Sequence, residues 1–485
     1  MKKMICLFLG TILMGVQFSL YSLSRGLVVI SLGYAQDGKD KLIYGIIQPD
    51  DVVVRAQGAG INKHHVIVDG IDYDLTYIPS AFLIPKVKVY LAGGMVVELP
   101  KLSTDIKDLK AKGVQDVEGR LRISTNAHLI MPYHKIIDAC AHKADHVRKG
   151  LTLRSGVRPA SSDKRFGIGI RLADLFSDDF SDLLKTAVNR ANDIIVKLYN
   201  EKPVDYKKLL DEYMGYRKEF LPYVRDQVEL KLNLLLTHRD GPRVIFEGSH
   251  SVFLDVTHGD FPYVSAGSTT ASGICAEAGV GPTRIGHTLG VVQAYCTVFH
   301  DCPFPTEIKD EKIVTQFNEK FKRKKSKEQT IRYGWPDAVM YRQGIMLNGV
   351  NSIAISRLDD LCGLEEIKLG VHYQLDGVDY DYRPPIAKDL ARVKVSYKTF
   401  KGWKEPIGHV RKFCDLPEEA RHFVKTLERV CGVPVTYISV GPEKDQLIEV
   451  VSGLVPQSPS APVKKVHSKC VCEVRGIEKN NLKKS

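Results

Sequence analysis

No two cysteines in this chain are spaced as C-x-x-C. The ten cysteines are scattered, and only Cys470 and Cys472 come close together, in the tail. That excludes a zinc framework read from spacing and leaves buried free thiols as the plain expectation. No internal repeat is visible. No recognised nucleic-acid motif accompanies the net charge of +12. The basic balance therefore argues for phosphorylated small molecules, and nucleic acid is not an expected partner. No small-x-small cleavage site is clear after the apolar run in "MKKMICLFLGTILMGVQFSLY". Two readings stand for residues 1–24. Residues 4–21 serve export or membrane anchoring, or the segment is an N-terminal extension that packs on the body.

What is present is an ordinary globular composition, 44% hydrophobic and 26% charged over 485 residues, enough for one elaborated α/β domain with a large core. "GLVVISLG" and "DVVVRAQG" read as buried strands, short, β-branched and ended by glycine. "HHVIVDGIDYDL" reads as a hairpin about Asp69–Gly70. "VKVYLAGGMVV", "RVIFEGSHSVFLD", "SIAISRLDDL" and "VPVTYISVGPEKD" read as strands that run into charged or glycine turns. Residues 134–148 and 178–238 read as helical. Strands alternating with helices predict a large, mostly parallel sheet flanked by helices. Ligands of such sheets bind at the carboxyl ends of the strands. The basic "KFKRKKSK" falls in a loop, and "VPQSPSAP" leads into a basic, solvated tail. The expected division is 1–24, an apolar segment; 25–455, the α/β domain; and 456–485, linker and tail.

Several ordered stretches are more specific than a generic α/β pattern: "FEGSHSVFLDVTHGDFPYVSAGSTTASG", "CPFPTE", "GWPD", "RLDDLCGLEEIKLGVHY" and "SVGPEKD". Together with "YIPSAF", "AGGMVVELP", "VDYKKLLDEY", "FKGWKEPI" and "LERVCGVPVTYIS", they resemble the adenylosuccinate synthetase family across nearly the whole body. The resemblance implies that family's P-loop-like α/β fold with long insertions. It also implies a cytoplasmic, homodimeric, GTP-dependent ligase of purine (AMP) biosynthesis, which joins IMP and L-aspartate with Mg²⁺ to give adenylosuccinate. In that reaction a carboxylate takes the N1 proton so that the 6-oxygen of IMP can attack the γ-phosphorus. A histidine, backbone N–H groups and Mg²⁺ hold the developing charge, and arginines hold the aspartate carboxylates.

The same resemblance assigns residues. In "SLGYAQDGKDK", Gly38, Lys39 and Lys41 match the phosphate turn, and the catalytic base and magnesium ligand falls on Gln36 or Asp37. A glutamine cannot accept a proton at neutral pH, whereas an aspartate can. Asp40 stands where the family has a glycine that lets backbone approach phosphate. In "AGINKHH", His64 falls on the phosphoryl-stabilising histidine, with Ile61 and Lys63 replacing small or polar neighbours. For IMP the matches are Thr152, Arg171, His250, Thr269 and Thr270, with Arg154 and Arg158 as new positive charge. The arginine that reaches across the dimer falls near Gly167. For aspartate only Arg332 remains, since Gln329, Thr330 and Ile331 replace arginines. For guanine, Asp359, Arg357, Ser439, Gly441 and Pro442 match.

Three readings follow. The first is a divergent ligase. The second is a relative without catalysis that keeps the scaffold, binds guanine nucleotide weakly and acts as an interaction protein. The third is altered chemistry on another purine nucleotide.

Overall fold

A computed structural model gives the fold. It describes residues 26–34, 37–60, 64–68, 70–144, 154–225, 227–238, 241–298, 301–321 and 331–450. The expectations for residues 1–24 and 456–485, and for most of "KFKRKKSK", lie outside the described residues. Among the described residues no helix is long and apolar enough to cross a membrane.

Thirteen strands matter here: β1 (Gly26–Ser31), β2 (Val52–Arg55), β3 (Lys88–Leu91), β4 (Leu121–Ser124), β5 (Val224–Arg225), β6 (Val244–Ser251), β7 (Ile285–Gln293), β8 (Ser352–Ser356), β9 (Glu366–Leu375), β10 (Val378–Tyr380), β11 (Lys394–Lys401), β12 (Val435–Ser439) and β13 (Leu447–Glu449). Ten of them form one sheet in the order β13-β12-β8-β7-β1-β6-β2-β3-β4-β5. Every neighbouring pair is parallel except β12–β13 at the edge. The predicted mostly parallel sheet is therefore present. Parallel strands share one polarity, so the turns after β1, β2, β6, β8 and β12 all open at the same edge.

The apolar runs build this sheet because both of its faces are covered. Successive strand residues point to opposite sides. Val28 and Ile30 join a core with Phe246 and Val292, while Val29 joins a second core with Leu42 and Ile245. Each buried side chain of this size contributes about 1.5–3 kcal/mol relative to exposure.

Helices cover the two faces: α1 (Lys39–Ile46), α2 (Leu99–Ala111), α3 (Pro132–Ala144), α4 (Val157–Phe166), α5 (Phe180–Asn192), α6 (Tyr206–Phe220), α7 (Val228–Thr237), α8 (Ala271–Glu277), α9 (Glu311–Phe321), α10 (Ala338–Asn348) and α11 (Glu418–Cys431). The stretch 178–238 is mostly helical but divided, and contrary to the helical expectation it contains strand β5, Val224–Arg225. A π-turn over Asp193–Leu198 ends α5, and Asp205 restarts the chain by capping α6 through Lys207 N and Lys208 N. The hairpin of His64–Val68 with Ile71–Leu75 is antiparallel as expected. Strands β10-β9-β11 form a separate antiparallel sheet, an insertion between β8 and β12.

Candidate active site

The turn after β1 is built on two successive left-handed residues, Asp37 at φ 53° and Gly38 at φ 79°. Aspartate tolerates that region because its short carboxylate can bond the local backbone. The Asp37 carboxylate accepts from Gly33 N at 2.8 Å, and its carbonyl accepts from Ser356 Oγ at 2.7 Å. A Cβ on Gly33 would lie 2.8 Å from the Asp37 carboxylate oxygens, so a side chain there would push that carboxylate aside. Gln36 lies outside the described residues. Gly38 precedes α1, and Lys39 turns inward, 1% exposed, to donate to Ser31 Oγ at 2.6 Å. Burial pushes the Lys39 ammonium down, while the carboxylates of Asp40, Asp37 and Glu247 push it back up.

Beside this turn, the ends of β2 and β6 form a polar floor. Arg55 is buried and donates to the carbonyls of Thr76 and Tyr77. Gln57 is buried with neither amide atom partnered, and Arg55 Nε is likewise without a partner. Buried polar atoms are normally paired, so these exceptions are candidate places for a ligand to bond. The His250 imidazole is pushed down to about 4, first by burial and then by Lys39 and Arg55, so it is neutral at physiological pH. Arg55, Gln57 and Glu247 escaped the sequence reading. The available signal was their position at the ends of two buried strands.

The third part of the site joins α1 to the ends of β8 and β12. Lys41 Nζ donates to Ser439 Oγ at 2.6 Å. Burial lowers the Lys41 ammonium to about 8, opposed by Asp359 and Glu443. Burial raises the Asp359 carboxyl to about 6, helped by Asp360 and opposed by Lys41 and Arg357. Arg357, left-handed at φ 60°, donates to Tyr295 OH at 3.1 Å, and that hydroxyl donates to Asp360 Oδ2 at 2.9 Å. Ser439 Oγ also donates to Gly441 O at 3.2 Å. A Cβ on Gly441 would lie 2.2 Å from Gln446 Oε1, so a side chain there would displace the Gln446 amide. Pro442 follows, exposed. The structure thus brings the residues expected at the guanine end, from the turns after β8 and β12, together with Lys41 of α1.

The remaining assignments fare differently. His64 opens the hairpin strand, but its side chain and Ile61 lie outside the described residues, as does Thr152. Arg171 caps a single helical turn, Leu172–Leu175; its backbone N and guanidinium both reach Asp174. Thr269 Oγ1 donates to Ser251 O at 2.8 Å, and its N donates to the buried Asp255 carboxylate at 2.6 Å. Thr270 caps α8 by accepting from Gly273 N. Arg332 forks onto Glu307 at 2.7 and 3.0 Å and donates to Cys302 O at 2.8 Å. Ile331 packs against the large core. Arg158 donates to Val264 O at 2.6 Å and lines a cavity of about 480 Å³ with His134, Asp138, Asp163 and Arg190.

A mostly parallel ten-stranded sheet, covered on both faces and bearing its charged turns along one edge, defines an α/β protein whose ligands enter at the strand carboxyl ends. The comparisons with known proteins are more specific. The adenylosuccinate synthetase family matches residues 28–448, and the chain belongs to that family. The adenylosuccinate synthetase of Caldanaerobacter subterraneus subsp. tengcongensis is 37% identical over 423 residues, covering 87% of this chain and 98% of that protein. The Thermobifida fusca adenylosuccinate synthetase is 36% identical over 426 residues, covering 87% and 98%. Among solved structures, the fully ligated adenylosuccinate synthetase of Plasmodium falciparum superposes with TM-score 0.80 at 26% identity, covering 88% of this chain and 99% of that one. The cyanophage S-2L succinoaminodeoxyadenylate synthetase, bound to dGMP and to dATP as an energy donor, shares the fold at TM-score 0.54 and 16% identity.

Proposed function

We propose that this chain binds GTP at the Lys41–Asp359–Ser439 cluster and carries out its family's reaction, GTP-dependent ligation of IMP and L-aspartate to adenylosuccinate. The observation that supports this most is the joining of the α1 turn to the guanine end through Lys41 and Ser439. Asp359 would accept from the guanine N1 and N2 donors, with Arg357 beside it. The backbone of Gly38 and the ammonium groups of Lys39 and Lys41 would face the phosphates. His250, neutral, can hydrogen-bond the base of IMP. Asp37 is the carboxylate of the turn able to take a proton, and it is held in place by the bond from Gly33 N.

Magnesium fits this arrangement in a limited way. Among the described residues no three His, Cys, Asp or Glu side chains gather into an all-protein cation site. Mg²⁺ on nucleotide phosphates is held by one or two carboxylates only, and Asp37 would be that ligand. Bound there, it would neutralise charge on the phosphates. A homodimer in the cytoplasm is part of the same reading.

A second reading is favoured by a specific observation. The guanidinium groups of Arg332 and Arg171 already rest on Glu307 and Asp174. A chain of this kind would keep nucleotide binding without ligation and act as an interaction protein. Titration calorimetry of the 25–485 body with GTP and with IMP, each with Mg²⁺, followed by turnover with aspartate, separates the two. Adenylosuccinate formation supports the ligase. Binding of GTP without turnover supports the second reading, and absence of GTP binding overturns both.

A further inference from the structure

Arg383 lies in the loop after β10, in "DYRPP", far in sequence from the residues of the opening turn. It belongs to the inserted β9–β11 sheet region, yet its side chain is 1% exposed. The following Pro384 biases Arg383 toward extended backbone. Its backbone N is held by Gln343 Oε1 of α10 at 2.9 Å. A buried guanidinium persists only when its charge and donors are matched. Here Nη2 and Nε reach the carboxylate of Asp260, Nη1 donates to Tyr34 OH at 2.8 Å, and Nη1 lies 4.0 Å from Asp337 Oδ2. The plane also covers two rings, Phe253 at 4.8 Å and Tyr34 at 5.1 Å.

These partners belong to three separate segments. Tyr34 is part of the opening turn, four residues before Gly38, and its ring is backed on another side by Phe304 at 5.1 Å. Asp260 and Phe253 belong to the segment after β6 that ends in Thr269 and Thr270. Asp337 caps α10 through Val339 N and Met340 N, and also accepts from Tyr373 OH of β9. One guanidinium therefore fixes the phosphate turn against the segment assigned to IMP.

We infer that Arg383 is a positioning residue for nucleotide binding. Through Tyr34 and Asp260 it sets the spacing between the opening turn and the 252–270 segment, so affinity for GTP and IMP depends on a residue that touches neither. The inference rests on the proposed nucleotide site.

The test uses three variants of the full chain. Tyr34→Phe keeps the ring and removes only the hydroxyl that accepts from Arg383. Arg383→Lys keeps the charge beside Asp260 but loses the fork. Tyr373→Phe disturbs the same buried network on the side away from the turn. Calorimetry should show GTP binding about tenfold weaker in Tyr34→Phe. GTP and IMP should both weaken in Arg383→Lys, and wild-type constants should persist in Tyr373→Phe. Wild-type constants in the first two variants, or equal losses in all three, would overturn the inference. Should wild-type protein bind neither nucleotide, the nucleotide reading fails by itself, and hydrogen exchange then decides the positioning role. Faster exchange of the Gly33 and Thr269 amides in Tyr34→Phe, but not in Tyr373→Phe, upholds it; unchanged exchange refutes it. If Arg383→Lys does not fold, Tyr34→Phe still decides between the two outcomes.

Discussion

Lys41 and Ser439 stand 398 residues apart in sequence, and the ammonium of one donates to the hydroxyl of the other at 2.6 Å. This contact ties the start of α1 to the end of β12. Around it, burial has drawn the titration of a carboxyl and an ammonium toward neutrality. Asp359 sits at about 6 and Lys41 at about 8.

GTP affinity should therefore peak between these two values. Below about 6 Asp359 takes a proton and loses its acceptor role, and above about 8 Lys41 loses its charge. Asp359→Asn should flatten the acid limb of a plot of binding constant against pH. The ligand-free protein has the opposite acid dependence. The Asp359 pKa is raised above its ordinary 3.8, so the folded state holds that proton more tightly than the unfolded chain. This group's contribution to stability rises as pH falls from about 6 towards 4. Thermal melts of wild type and Asp359→Asn would show the difference.

Glu307 behaves in the other sense. Its bonds from Arg332, and then Lys309, hold the carboxyl down to about 2, against burial. Its stabilisation is complete above the ordinary 4.5 and is lost as pH falls toward about 2. Glu307→Gln should cost about 1–3 kcal/mol in urea unfolding at neutral pH, because a forked, charge-assisted pair is broken. The cost should shrink at pH 2–3 in the same measurement. A cost that stays constant with pH would show that the pair is not the source.

His250 should remain neutral down to about pH 4, and its ring carbon proton, followed by NMR, should titrate there. A histidine held below its ordinary 6.5 withdraws stability as pH falls from 6.5 toward 4, since only the unfolded chain then takes the proton. His250→Gln preserves one hydrogen-bonding side chain. It should leave IMP affinity within about twofold, whereas His250→Leu should lose about tenfold.

Asp255 holds the segment after β6 together. Its carboxylate accepts from Thr257 N, His258 N, Thr269 N and Ser268 Oγ. Burial works against the charge, but these four bonds win and hold the carboxyl below its ordinary range. Asp255→Ala should leave buried donors unmatched and cost about 3 kcal/mol, read as a lower urea midpoint at unchanged slope. A change within about 0.5 kcal/mol would mean the segment is held elsewhere.

Some of this protein is determined by local sequence. "GLVVI" and "DVVVR" are β-branched, apolar and ended by glycine or charge, and both are buried strands of a parallel sheet. Parallel polarity then puts their turns at one edge, so the place of the site follows from pattern. Gly38, Lys39, Lys41, Asp359 and Ser439 were singled out by the family resemblance, and the fold places them at or just beyond strand ends or at the start of α1. Breaks within 178–238 were harder to read, since a π-turn preserves much of the helical periodicity. What the side chains do with their hydrogen bonds was decided by tertiary structure alone. Arg332 has no evident partner in its own stretch of sequence until the fold brings Glu307, 25 residues away, to its guanidinium. Arg383 looks like a loop residue until Asp260 and Tyr34, 123 and 349 residues away, enclose it. Strand formation depends on near neighbours and burial, which a short window records. A guanidinium's role depends on which carboxylate the fold brings within about 3 Å, and no short window contains that.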